Sequence, residues 1–315
     1  TAYAAQSSLP GDTLYSVKLG TEQLQRMIIF DDATEVELEL KFASTRLDEL
    51  EEIAIMPPDQ IAMTIDSYDN VLAMSIIDIP VNEPRETYTT QSEWITIAVA
   101  GYKRNLNLAI TKAENVTDGG TLTEKIALAI INHLDRLDEI EDKAFDDAQE
   151  TIVDTKGIAI NGHIRTLQNL ATVNPVRATE INLQAIQGRL GRANIEAAKS
   201  NSRGMEDTLQ EYEKLRRFGE GISNSTETKG QGTIPIDELN AQATTEHMES
   251  LGSIYGNAPK DMKDAVEQAI DVAIETHKQA VQGLRQQDAQ GDIPTEPPIP
   301  NNIPENVKEN IQGSH

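Results

Sequence analysis

Four carboxylates lie close together near the middle of the chain, at a spacing that brings them onto one side of a helix. They occupy positions i, i+3, i+4 and i+7 and are Asp135, Asp138, Glu139 and Asp142. Residues at these spacings are neighbours on a helical surface. Carboxylate oxygens are the ligands that calcium and other hard cations prefer, so the spacing suggests a metal site, although no EF-hand loop accompanies it. The alternative is a solvated acidic face, balanced by Arg136 and Lys143.

Residue patterns for other chemistry are absent. The five histidines are scattered and form neither His-x-x-x-His nor His-Glu-x-x-His: His133, His163, His247, His277 and His315. Gly-x-Ser-x-Gly and a glycine-rich phosphate loop after a strand are missing, and the chain has no cysteine. Local zinc sites, thiolate nucleophiles and nucleophile elbows are therefore not expected. The sequence predicts no catalytic and no cofactor-binding residue, and a protein that is not an enzyme.

The charge of the chain limits its partners. With 52 acidic and 27 basic residues, the net charge of the 315-residue chain is −25. A field of this sign repels nucleic acids and anionic membrane surfaces. It favours basic proteins and divalent cations, and it also keeps a protein in solution. No run of about 18 apolar residues is present, so no membrane span is expected.

The apolar residues indicate helices throughout. Hydrophobic residues make up 38% of the chain and aromatic residues only 4%, so Leu, Ile, Val and Ala must fill the core, as in helix packing. The alternation from Val36 to Leu40 resembles a strand, but no turn or second strand accompanies it, and helix is the better prediction.

Several residues indicate where helices begin and end. Asp12 and Thr121, the latter with Glu124 three residues later, suit helix N-termini. Asn174-Pro175 is expected to open a further helix, and Asp31-Asp32 to break the long helical stretch near the N-terminus. Gly157 and Gly162 suggest a looser connection.

The N-terminal segment carries a family signature. It runs Leu9-Pro10-Gly11-Asp12-x-Leu14-Tyr15-x-Val17-Lys18-Leu19 and closes with Glu22. This segment resembles the LPGDxLYxVKLxxE signature of a bacterial family of exported helical domains of unknown function. The resemblance continues through Lys41-Phe42-Ala43, Arg46-Leu47 and Glu49. It implies an extracytoplasmic helical domain and supplies no catalytic residues.

Composition along the chain predicts several segments. Residues 1–8 are expected to be a signal-peptide remnant or a mature N-terminus, because Ala2-Tyr3-Ala4 has the small-x-small form that signal peptidase reads. A main helical domain over 9–222 is followed by a flexible linker, 223–235, and a helical hairpin, 236–290. The proline-rich residues 291–315 are expected to be an extended tail.

One short motif recurs and suggests related helical hairpins. Arg46-Leu47-Asp48-Glu49-Leu50 is echoed by Arg136-Leu137-Asp138-Glu139-Ile140 and more faintly by Arg189-Leu190. In each copy the leucine is expected to face the core and the acids to lie outside. The unequal spacing of the copies argues against a strict solenoid.

These observations predict an all-α protein of long antiparallel hairpins, exported to the periplasm, cell surface or an equivalent compartment. Its expected role is a non-enzymatic structural or assembly subunit that binds other proteins, or a second copy, through helix faces and its tail. Two alternatives stay open. One is an acidic sensor or chaperone of the cell envelope that binds calcium or another metal. The other is a helical enzyme whose site is assembled from distant carboxylates and histidines.

Overall fold

The protein is all-α in the part of the chain that the computed structural model describes. That part comprises residues 5–10, 12, 14–29, 31–55, 91–114, 120–144, 146–228, 233–287, 299–300, 303 and 308. It contains nine α-helices of three turns or more, one short 3-10 helix and no strand. The predicted fold class is confirmed, including helix rather than strand over Val36–Leu40.

Contacts divide the chain into two units, residues 1–163 and 164–315. The helices that lie in the first unit are α1 (Tyr15–Ile28), α2 (Asp32–Ala54), α3 (Gln91–Ala113) and α4 (Thr121–Lys143). Helix α5 (Asp146–Val173) contains the boundary between the units. The second unit holds α6 (Pro175–Ala198), α7 (Ser202–Thr228), α8 (Ile234–Asn257), a 3-10 helix (Lys260–Met262) and α9 (Lys263–Gln286).

In the first unit, α2 is the central helix. It runs antiparallel to α3, since Lys112 pairs with Glu35 near one end and Arg46 lies against Gly101 further along. Helix α4 packs on α2 as well, and α1 contacts it more lightly. The core consists mainly of aliphatic side chains with Trp94 and Tyr102 among them, which agrees with the composition.

Helix α5 is continuous, although Gly157 and Gly162 suggested a looser connection. Gly162 lies at a tight contact between two helices. A Cβ at this position would lie 3.3 Å from both Ile110 Cδ1 and Leu106 Cδ2. The glycine therefore lets α5 approach α3, and the packing gained there offsets the low helix propensity of glycine.

In the second unit, α6 packs against both α7 and α8, and α8 packs against α9. The buried apolar residues come from all four helices and include Leu190, Leu215, Leu251 and Ile270. The predicted hairpin of residues 236–290 corresponds to α8 and α9, and its contacts with α6 place it within this unit. Independent folding of the hairpin stays a prediction.

The predicted linker is helical over part of its length. Helix α7 extends to Thr228, where the sequence suggested flexible chain from residue 223. Ile222 and Thr226 are buried, and the Thr226 hydroxyl donates to the Ile222 carbonyl at 2.8 Å. These contacts favour helix in a polar segment. Residues 229–232, most of the predicted tail and residues 1–4 lie outside the described residues.

Two predicted helix caps are wrong, whereas the helix start at Asn174 is confirmed. Asp12 accepts from the amide of Leu9 at 2.7 Å, so its side chain closes the Leu9–Asp12 turn and does not cap α1. The residue that precedes α4 is Gly120, in a left-handed conformation (φ 93°), and Thr121 is already helical. Asn174 caps α6 through the amide of Arg177.

The expected break at Asp31-Asp32 is also present. It separates α1 from α2, and the Asp31 side chain caps α2 by accepting from the amide of Thr34 at 2.8 Å. An aspartate that interrupts one helix thus starts the next.

No helix in the described part of the chain is long and apolar enough to cross a membrane.

Candidate functional site

The four carboxylates proposed to bind a cation do not all point the same way. Asp135, Glu139 and Asp142 are exposed on α4, whereas Asp138 is buried. Asp138 Oδ1 lies 3.1 Å from the Lys156 ammonium, which also bonds Glu141 at 2.7 Å. Among the described residues, no group of three or more acidic or histidine side chains is placed to hold a metal ion. Binding of calcium at this face stays a prediction.

The four histidines of the described helices lie in the protein interior. His133, His163 and His247 are buried, and burial lowers the pKa of each to about 4. They are therefore neutral at physiological pH. His163 Nδ1 lies 3.3 Å from the Ala127 carbonyl, and His277 Nδ1 lies 2.9 Å from the Thr244 hydroxyl. His133 and His163 lie in the first unit, His247 and His277 lie in the second, and His315 lies outside the described residues.

The repeated Arg-Leu motif is used in different ways. Leu47, Leu137 and Leu190 are all buried, as predicted. The acids do not all lie outside, because Glu49 and Asp138 are buried. Each has gained a cationic partner within its unit, which is why a carboxylate is tolerated there.

The polar residues of the N-terminal signature form one buried cluster with α2. Tyr15, Lys18 and Glu22 are i, i+3 and i+7 on α1, and all three face Arg46 and Glu49 of α2. Arg46 bonds the Tyr15 hydroxyl, Glu22 and Glu49, the last at 2.7 Å. Lys18 lies 2.8 Å from Glu49 and donates to the Ser8 carbonyl at 3.1 Å. We call Tyr15, Lys18, Glu22, Arg46 and Glu49 the Arg46 cluster.

The buried charges of the Arg46 cluster compensate one another. It contains two cations and two carboxylates. Burial raises the pKa of Glu22, and the attraction of Arg46 opposes that shift. Burial also raises the pKa of Tyr15, with Glu49 adding to the effect, so the phenol is protonated and can donate to Glu49 at 3.0 Å. Each of the four charges has an oppositely charged partner, which makes its burial tolerable, although Arg46 Nε has no hydrogen-bond partner among the residues that the structure describes.

A second contact fixes the other end of α1. Arg26 Nε and Nη2 donate to the two oxygens of Glu39, at 2.7 and 3.1 Å, and Nη2 also donates to Asn105 of α3. The guanidinium lies over the Phe42 ring, 4.5 Å from its centroid. Helix α1 is thus attached to the first unit at both ends through charged side chains.

The outward side of α1 is apolar. Val17, Leu24, Met27 and Ile28 are 42%, 60%, 65% and 70% exposed. They lie on one stripe of the helix, at i, i+7, i+10 and i+11, and we call them the α1 stripe. Gly20 lies in line with it and has open space where a Cβ would stand. Leu24, Met27 and Ile28 therefore do not face the core of the first unit.

Helix α1 is therefore inverted relative to an ordinary surface helix. Amphipathic helices usually bury their apolar stripe and expose their charges. Here the charged side is buried and the apolar side is exposed. Sequence reasoning missed Lys18 and Glu22, although their spacing from Tyr15 placed all three on one helix face.

The second unit contains a polar cleft of about 710 Å³ between α6, α7, α8 and α9. Its inner wall includes Tyr212 and His247, whose rings meet edge to face at 6.4 Å. Two glycines in the wall leave room for polar side chains. A Cβ at Gly219 would lie 2.9 Å from Asn182 Nδ2, and one at Gly283 would lie 2.6 Å from Asp237 Oδ2. Asp237 also accepts from the Thr233 hydroxyl at 2.7 Å.

Part of the chain matches a known protein family. Residues 7–147 match the family described as "Domain of unknown function (DUF5667)". This match spans the signature and most of the first unit, and it says nothing of location. No curated protein matches the chain.

A solved structure shares the fold. It is titled "Circular tandem repeat protein with novel repeat topology and enhanced subunit contact surfaces", and it superimposes with a TM-score of 0.54 at 12% identity. The alignment covers 81% of this chain and 52% of that protein, so the chain spans about half its length. The likeness shows a helical, repeat-like fold.

Proposed function

We propose that the protein is a non-enzymatic structural or assembly subunit, exported from the cytoplasm, that binds a helix of a partner protein along the α1 stripe. The single observation that carries the proposal is the inverted orientation of α1. Export is supported by the resemblance of the N-terminal signature to exported domains. A repeat-like helical fold agrees with an interaction role.

The inverted helix is hard to explain by folding of the first unit alone. Buried ion pairs contribute little net stability, because the cost of removing charges from water offsets their attraction. Fully burying one Leu, Ile or Met side chain contributes about 1.5–3 kcal/mol. Exposing the stripe forgoes that contribution within the unit and keeps it available for binding.

The shape of the stripe favours a helix as the partner. The exposed apolar residues span positions 17–28, or about three helical turns. Spacings of seven and three to four residues suit packing of one helix along another. Gly20 would allow the backbones to come close. The charged residues between Val17 and Ile28 are buried or partly buried, so little charge must be removed from water when the stripe is covered.

The proposal can be tested by site-specific crosslinking in the native cell. A photo-reactive residue at position 24 should join α1 to one discrete polypeptide, and the same residue at exposed Glu52 of α2 should not. Introducing Met27→Asp beside the crosslinker should abolish the product, with helicity and Tm unchanged. Mass spectrometry of the product should locate an apolar helix or a second copy of this chain.

Absence of a position-24 product, or equal products at positions 24 and 52, would contradict the proposal. The calcium-binding alternative lacks, among the described residues, a group of three or more acidic or histidine side chains placed to hold a metal ion.

A further inference from the structure

The cleft of the second unit has the chemistry of a ligand site that is separate from the α1 stripe. We propose that it binds a small uncharged saccharide of one or two rings. The inference does not depend on the proposed function, since the cleft residues and α1 belong to different units.

The size of the cleft suits a small molecule. Its volume of about 710 Å³ lies within the range of about 300–1,000 Å³ that is typical of such sites. Most sites in this range are largely apolar. This cleft differs, because neutral polar side chains make up about half of its wall, so its ligand should be strongly polar.

Amide and hydroxyl groups on three helices converge on the cleft. Examples are Tyr212 of α7, Asn240 of α8, and Gln282 and Gln286 of α9, whereas Thr276 and Gln279 also line the cleft but already donate to Val272 and Glu275. Amides and hydroxyls both donate and accept hydrogen bonds. Sugar hydroxyls have the same dual capacity, and they can take over the hydrogen bonds of water that would otherwise fill such a cleft.

The charged groups of the cleft disfavour an anion. Among the described lining residues, the one permanent cation is Arg216, and Glu213 and Glu220 already bind its guanidinium. The Nε and Nη2 atoms of Arg216 donate to the two Glu213 oxygens at 2.8 and 3.0 Å. Asp237 and Glu227 add negative charge to the wall. Phosphorylated or carboxylated ligands would meet net repulsion there.

Apolar side chains complete the match to a sugar. Leu183 and Ile186 of α6 and Ala273 and Ala280 of α9 also line the cleft. Of these, Leu183 is partly exposed and offers an apolar contact to the C–H face of a pyranose ring, while Ile186, Ala273 and Ala280 are buried. A polyamine would use the carboxylates but would leave amide donors such as those of Asn240 and Gln282 without acceptors, which is costly when they are removed from water.

Titration calorimetry on the full chain tests the inference. The probes are glucose, maltose, cellobiose and chitobiose as neutral sugars, with glucuronate and spermidine as charged comparators. We expect saturable 1:1 binding of at least one neutral sugar. The double variant Asn240→Ala/Gln282→Ala should weaken it at least about tenfold, which corresponds to about 1.4 kcal/mol.

Gln268→Ala is the matched control, because Gln268 is exposed on α9 and does not line the cleft. It should bind as the wild type does, and all variants should keep the wild-type Tm. The inference is overturned if none of the four neutral sugars binds at about 10 mM, a concentration that would fill about nine-tenths of a site with a Kd of about 1 mM. It is equally overturned if the double variant binds normally, or if glucuronate or spermidine binds more tightly than every neutral sugar.

Discussion

Gly101 of α3 lies directly against the side chain of Arg46 on α2. A Cβ at position 101 would stand 2.7 Å from Arg46 Cδ and 3.0 Å from Cγ. The Arg46 side chain cannot swing away without leaving Glu22, Glu49 and Tyr15. The absence of a side chain at position 101 is thus a condition for the Arg46 cluster.

We expect Gly101→Ala to destabilise the protein by about 1–3 kcal/mol, the usual cost of overpacking. Without a clash, alanine would stabilise the helix relative to glycine. Destabilisation by Gly101→Ala would therefore indicate a steric clash with Arg46. Gly157→Ala in α5 is the control. Its Cβ would meet open space, and it should stabilise by about 0.5–1 kcal/mol. Denaturant unfolding measures both, and equal stabilisation by the two variants would contradict the steric argument.

Replacing Arg46 with methionine should cost about 3–5 kcal/mol, because Glu22 would keep its burial and lose its nearest cation. Lys18 would still compensate Glu49. The loss should shrink at about pH 4–5, where carboxylates can take up protons. Arg136→Met is the comparison, since Arg136 bonds the exposed Asp48 at 2.7 Å and such a pair contributes about 0–1 kcal/mol. Similar unfolding free energies for both variants would argue against a special role for the cluster.

The acidic face of α4 can be separated from the buried pair beneath it. We expect Asp138→Asn to lower stability by weakening the contact with Lys156, and Asp142→Asn to have little effect. A cation held by the exposed carboxylates would raise the wild-type Tm in calcium relative to magnesium and chelator at fixed ionic strength, and the rise should disappear in Asp142→Asn. Asp138 is held by Lys156 and is not placed to join these carboxylates. Equal Tm values in all three conditions would contradict the cation site and indicate a solvated acidic face.

Stability should fall as the pH is lowered from about 6.5 towards 4. The pKa of His163 is about 4 in the folded protein and about 6.5 in an unfolded chain. Between these values the unfolded state binds the additional proton, so acid favours unfolding. His163→Leu removes this contribution. Its unfolding free energy should depend on pH less steeply, by about 1.4 kcal/mol per pH unit in that window.

Carboxylates such as Glu22, with a raised pKa, act in the opposite direction, but they are common to both proteins. The difference between wild type and His163→Leu therefore isolates the histidine. Chemical denaturation at several pH values from neutral to about 4.5 gives the comparison across the window between the two pKa values. Parallel pH profiles for the two proteins would show that His163 does not titrate as its burial requires.

Helical periodicity in the sequence was enough to predict the fold class and most helix positions. Asn174 was also recognisable as a helix start, because a side chain that caps a helix acts on amides two or three residues away. The local sequence was a poorer guide to where helices continue when contacts with residues distant in the chain stabilise them. Gly162 allows a close helix contact, and Thr226 lies in a buried part of α7, and neither contact is visible in the local sequence.

The sequence does not predict which side of α1 is buried. Periodicity shows that Leu24, Met27 and Ile28 share one side of α1, but it does not show which side is covered. That choice depends on Arg46 and Glu49, which lie on the following helix. The cleft lining comes from helices distant in the chain, so no local motif marks it.

Because α1 buries its charged side and exposes its apolar side, its local detachment and its binding to a partner should differ in their heat-capacity changes. Exposing apolar surface raises the heat capacity by about 0.45 cal/mol/K per Å², whereas exposing polar surface lowers it by about 0.26. Local detachment of α1 would hydrate mainly Lys18, Glu22 and their partners, so its heat-capacity change should be close to zero or negative. Covering the α1 stripe removes apolar surface from water and gives a negative change on binding. The enthalpy of opening α1 would therefore be nearly independent of temperature, while the binding of a partner to the α1 stripe would weaken in the cold.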